Sequence, residues 1–172
     1  AMKDGSGRWT SSREWVFDFS QDLPPGVSCT LARDAGFKDL AGQAPKGAAS
    51  YAFNTGGPFV QSVRPGTYND IDEDQYFGLR FNGAVAPASV EKNSWCVVDG
   101  VGERMPVRLL TEQDKINIFG KSEMQRNSAR YVALACSRPL PSGARMRLVI
   151  GKGVATPGGM AGKIEKRFEF NV

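Results

Sequence analysis

The chain has 172 residues, 41% hydrophobic and 23% charged, a balance close to that of an average globular protein. No apolar run approaches the roughly 20 residues that carry a helix across a bilayer, and 0 His removes Ser-His and Cys-His nucleophile pairs and most zinc sites. The 20 Gly and 10 Pro favour many short strands over long helices, and the net charge of +4 leaves an acidic partner open.

The first residues, AM followed by KDGSG, read as a cloning scar joined to an internal cut, without the order of a signal peptide; an export signal would lie upstream. WVFDF at 15–19 is an apolar, β-prone run. The turn LPPG ends it, with Pro suited to a φ of about −65° and Gly26 to a positive one. VSCTLA at 27–32 alternates as a strand, GFKDLAG makes a loop, and SYAFNT at 50–55 closes the segment. PFVQSVRPG, from residue 58, begins a second series. There QYFGLRFNGAV sets Phe77, Leu79 and Phe81 on one face, and SWCVVDG and RMPVRLL look like a hairpin or adjacent pair. Thr111, with Asp114 three places on, signals a helix N-cap and Gly120 a stop, so one short helix is predicted over 112–119. YVALAC at 131–136, LPSG, ARMRLVI at 144–150, the loop GVATPGG and RFEFNV at 167–172 complete the chain.

The end of the chain repeats its beginning. An offset of 117 places Gly26 on Gly143 and aligns residues 15–55 with 132–172 without a gap. Ser20/Ser137, Leu23/Leu140, Pro24/Pro141, Gly26/Gly143, Leu31/Leu148, Gly36/Gly153, Gly42/Gly159, Ala44/Ala161, Lys46/Lys163, Phe53/Phe170 and Asn54/Asn171 are identical. Each copy reads strand, turn, strand, loop, strand, the tail of an antiparallel sandwich. The fold class is therefore all-β, an antiparallel β-sandwich with one short inserted helix. Residues 1–56 are the C-terminal half of a first domain and residues 57–172 a complete second one. An orphaned half bares strand edges, so it is expected to pack on the complete domain or to self-associate through those edges.

Chemistry-bearing patterns are few. Asp70, Asp72 and Asp74 have the spacing that opens a calcium loop, but Gln75 stands where Gly is needed and Phe81 where Glu is needed. An acidic turn that discourages edge pairing explains them better. GKGVATPGG misses the phosphate-loop spacing and leads into a strand. Seven cations between Arg138 and Arg167 face only Glu165, and the alternation Arg-Met-Arg-Leu at 145–148 makes them the wet side of a strand. The aromatics expected among them in a nucleic-acid site instead alternate inward. No catalytic, cofactor-binding or metal residue is assigned, and the chain is read as no enzyme.

Three cysteines remain: Cys29, Cys96 and Cys136. A Cys96–Cys136 bridge would tie the front strands of the second copy to its back half, leaving Cys29 unpaired or with its partner missing. The alternative is three buried thiols acting as small apolar residues. The bridge is the favoured reading.

WVFDFSQDLPPGVSC, YAFNTGGPFV, IDEDQYFGLRFNGAV, WCVVDGVGERMPVRLL and ACSRPLPSGARMRLVIGKGVATPGGMAG together resemble the N-terminal Ig-like, macroglobulin-type domains of bacterial alpha-2-macroglobulins. DLAGQ followed by FNT also resembles the broader bacterial Ig-like repeat. The resemblance implies an Ig-like sandwich within a large periplasmic protease inhibitor, often lipoprotein-anchored, that collapses around a protease when a bait segment is cut. It implies as partners the other domains of the parent protein, target proteases, and a peptidoglycan synthase beside which such proteins guard the envelope. Nucleic acid is not among them. Some members carry a thioester, but here Cys29 is followed by Thr-Leu-Ala, Cys96 by Val-Val-Asp and Cys136 by Ser-Arg-Pro, so no reactive residue carries over. An oxidising periplasm suits the disulfide. The alternative is a generic Ig-like adhesion or cell-wall-binding module whose basic strands contact acidic glycans.

Overall fold

Phe77, Leu79 and Phe81 all have 0% exposure in the computed structural model, which describes residues 4–172. They lie on β6 (Tyr76–Phe81), whose alternation sends every second side chain into one core. Around it run β5 (Val60–Arg64), β7 (Ser94–Val98), β8 (Arg104–Leu109), β9 (Tyr131–Cys136), β10 (Arg145–Ile150) and β11 (Lys166–Asn171). Their order is β11-β10-β7-β8-β9-β6-β5, every pairing antiparallel.

The sheet folds over itself at β8. Residues 104–106 of β8 pair with β7, whereas residues 107–109 pair with β9. Pro106 sits at the switch, where a residue without an N–H and with fixed φ suits a bend between two sheets. Val60, Phe81, Val107, Leu134, Met146, Leu148, Phe168 and Phe170 meet between the resulting layers. The fold is an all-β sandwich that nearly closes, β5 and β11 being its two ends.

Among the described residues three short α-helices are present where one was expected. The expected one is α2 (Glu112–Phe119): Thr111 accepts from the Asp114 amide, and the Asp114 carboxylate accepts from the Thr111 amide. Gly120, at φ 89°, ends it. α3 (Lys121–Asn127) follows at once, and only Met124 of its seven residues is buried, too sparse a pattern to announce a helix. α1 (Pro87–Lys92) starts with Pro in its first turn and buries Val90 in the main core. Phe119, Met124 and Tyr131 form a separate small core beneath α2 and α3.

Ahead of this body lie two hairpins: β1 (Gly5–Trp9) with β2 (Trp15–Phe19), and β3 (Ser28–Ala32) with β4 (Ser50–Asn54). Residues 5–7 of the opening stretch KDGSG begin β1. Its glycines are needed there: a Cβ on Gly7 would lie 2.2 Å from the Trp15 ring, and one on Gly5 2.5 Å from the Phe17 ring. The hairpins rest on the body through the LPPG turn, where Pro25 packs so closely on Gly83 that a Cβ there would come within 2.3 Å of it.

Candidate functional site

The offset of 117 holds for the strand register and for several hydrogen bonds across the two copies. Ser28 pairs with Asn54 and Leu31 with Tyr51 on β3–β4; Arg145 pairs with Asn171 and Leu148 with Phe168 on β10–β11. The Thr55 amide donates to Val27 O at 3.0 Å, and the Val172 amide to Ala144 O at 2.8 Å. Within the Gly-rich loops, the Gly42 amide donates to Asp39 O and the Gly159 amide to Thr156 O, each at 2.9 Å. Even the loop side chains correspond: Asp39 Oδ1 accepts from the Gln43 amide at 2.8 Å, and Thr156 Oγ1 from the Met160 amide at 3.1 Å. Gly26 and Gly143 both take the positive φ their turns require, 84° and 71°.

What differs is cover. In the second copy Met146, Leu148, Phe168 and Phe170 are buried by the front strands. In the first, Trp15, Phe19, Leu31, Phe37, Tyr51 and Phe53 all stay exposed, as does Trp9 on the adjoining β1. Trp15, Phe17 and Phe19 stack along β2, with centroids 6.0 and 5.1 Å apart, opposite Cys29, Leu31 and Phe53 on the other hairpin. Between them lies an open hollow of about 570 Å³, continued by one of about 390 Å³ between Trp9, Trp15, Leu31 and Tyr51. This apolar surface is the principal site that reading the sequence missed. The sequence shows alternating aromatics at 15, 17 and 19, but not that they stay uncovered.

Cys96 and Cys136 are bonded, 40 residues apart in sequence, joining β7 to β9 across the β8 corner. Cys29 is a free, half-buried thiol on β3, facing the hollow. Among the described residues, no three His, Cys, Asp or Glu side chains gather as a metal site. Asp72, Glu73 and Asp74 border a shallow cleft with Arg108 and Arg138, while Asp70 accepts from Asn171 Nδ2 at 3.3 Å. Backbone amides of Tyr68 and Ile71 donate to Glu169 and Asn171 O, so this turn shields part of the β11 edge. Of the seven cations, Arg147 pairs with Asp99 at 2.8 Å, Arg167 with Glu165 at 2.7 Å and Arg138 with Glu103. Arg145, Lys152, Lys163 and Lys166 are exposed, and Phe168 and Phe170 point inward behind them. Burial first, then its 2.7 Å hydrogen bond to Glu123, raise the Tyr131 pKa. That bond lowers the Glu123 pKa in return and pins α3 to β9.

No protein-family model matches the chain, and no curated protein matches it. Among solved structures, it is similar to the S-layer protein rSbsC(31-844), with 18% identity, a TM-score of 0.44, and coverage of 67% of this chain and 14% of that one. The N-terminal part of the bacterial S-layer protein SbsC gives 18%, 0.43, 67% and 23% in the same terms. CopC from Methylosinus trichosporium OB3b gives 20%, 0.40, 67% and 92%. The chain thus spans under a quarter of the two surface-layer chains. Likenesses of this degree say nothing about function.

Proposed function

We propose that the chain is a non-catalytic structural part of a periplasmic, alpha-2-macroglobulin-like protease trap, with stacked Ig-like modules that carry a cleavable segment and move when it is cut. The observation that carries this reading is the repeated register: two successive copies share strand pairing and loop hydrogen bonds, as modules of one stacked array do. The Cys96–Cys136 bond supports an oxidising compartment.

The test uses the polypeptide that the gene encodes, incubated with a broad-specificity endopeptidase. A trap is cut, after which protease activity on a protein substrate falls while activity on a small peptide substrate persists. Unchanged activity on both substrates overturns the proposal. A second reading, an adhesion or cell-wall-binding module, rests on the exposed cations Arg145, Lys152, Lys163 and Lys166. It predicts salt-sensitive binding to isolated acidic cell-wall glycans, which neutralising those four residues would remove.

A further inference from the structure

The two copies differ at one strand edge, and that difference identifies an acceptor. β10 is hydrogen-bonded on both sides, to β11 and to β7; among the described residues β3, its counterpart, is bonded only to β4. On β7 the side chains that reach the core are Cys96 and Val98, standing opposite Leu148 and Met146. Subtracting the offset, a strand seated on β3 in the same register would set its corresponding side chains opposite Leu31 and Cys29, above the hollow floored by Trp15, Phe17 and Phe19. The lining of that hollow carries no charge, so an ionised side chain entering it would lose its water without compensation. A two-stranded hairpin with a bare apolar face is marginal in water, and a third strand supplies both the missing hydrogen bonds and the cover.

We propose that the free edge of β3 and the apolar hollow beside it form a strand-acceptor site. Its occupant is an extended segment from outside these 172 residues, antiparallel to β3, with uncharged apolar side chains at alternate positions facing Leu31 and Cys29. The inference does not require the protease-trap reading: both draw on the repeat, but this one adds only the exposed face and is tested without protease.

The probe is a fluorescent peptide with the sequence of residues 93–99 carrying Cys96→Ala, titrated into the whole chain. A control peptide has the same composition with the apolar residues shifted by one position, which turns them to the wrong face. Binding is expected to saturate, with the control at least about tenfold weaker, or about 1.4 kcal/mol. Amide exchange of residues 28–32 should slow by about tenfold or more, while that of residues 145–150 stays unchanged. Leu31→Arg should abolish binding; if that variant fails to fold, the two peptides on the native chain still decide. Equal binding of both peptides, no binding, or protection appearing at 145–150 would overturn the proposal. So would a concentration-dependent dimer of the chain alone that protects residues 28–32, since the occupant would then be a second copy.

Discussion

Phe53 and Phe170 are the same residue at the same point of the same strand pairing, yet Phe53 is 46% exposed and Phe170 only 3%. Leu31 and Leu148 repeat the contrast at 46% and 0%. Local sequence therefore sets strand, turn and register in both copies, while burial depends on strands that only the second copy has beside it. The comparison separates two contributions that are usually entangled, the hydrogen-bonded ladder and the core it encloses.

The sharpest way to test that separation is to truncate both phenylalanines. Phe170→Ala should cost about 3–5 kcal/mol and Phe53→Ala less than about 1 kcal/mol, read by denaturant unfolding with hydrogen exchange on each hairpin. Equal costs would mean that the first copy is covered in solution, and the contrast would vanish. Next in size is the disulfide. Replacing Cys96 and Cys136 by Ser should destabilise the seven-stranded body by about 2–5 kcal/mol. The first copy has Phe19 where the second has Cys136, so exchange in β3–β4 should not change. Alkylation should label Cys29 alone before reduction and all three cysteines after it.

A smaller effect belongs to α2, which lies ahead of the second copy with α3 between them. Thr111→Ala should cost about 1 kcal/mol. The Thr111 hydroxyl, then its backbone amide, hold the Asp114 pKa below its ordinary value. A depressed native pKa stabilises above the unfolded value of about 4 and is lost as pH falls through the lower native value. The stability gap between the native chain and Thr111→Ala should accordingly narrow on acidification below about pH 4; a gap that widened there would contradict the cap. The loop pair gives the finest comparison. Thr156→Ala, at a buried position, should cost about 1 kcal/mol, and Asp39→Ala, at an exposed one, a few tenths. Ser94→Ala should be neutral or slightly stabilising in thermal unfolding, because the buried Ser94 hydroxyl has no hydrogen-bond partner.

Strand positions were legible from alternation wherever one face is wet, as at Phe77, Leu79 and Phe81 or Arg145 to Leu148. The α2 cap was legible because Thr111, Asp114 and Gly120 each signal chemically. α1 was hidden because its first turn offers only Pro87 and no side-chain cap, and α3 because a single buried Met124 makes no period. β1 was hidden because its glycines give no β-propensity; they serve the Trp15 and Phe17 rings across the ladder. The hollow could not be read from residues one by one. Aromatics alternating on a strand normally announce a filled core, and only the absence of a neighbour on the far side of β3 leaves these open.

The Cys96–Cys136 bond spans the corner where β8 passes from one layer to the other, so the two layers are welded along that side. A shell welded on one side can gape only on the opposite one. Here that seam runs between β5 and β11, where Phe59, Val60, Ile150 and Ile164 flank an open cleft of about 390 Å³. Force applied to the body will thus be resisted covalently at the corner, and at the seam only by non-covalent contacts, among them the backbone hydrogen bonds from Tyr68 and Ile71 to β11.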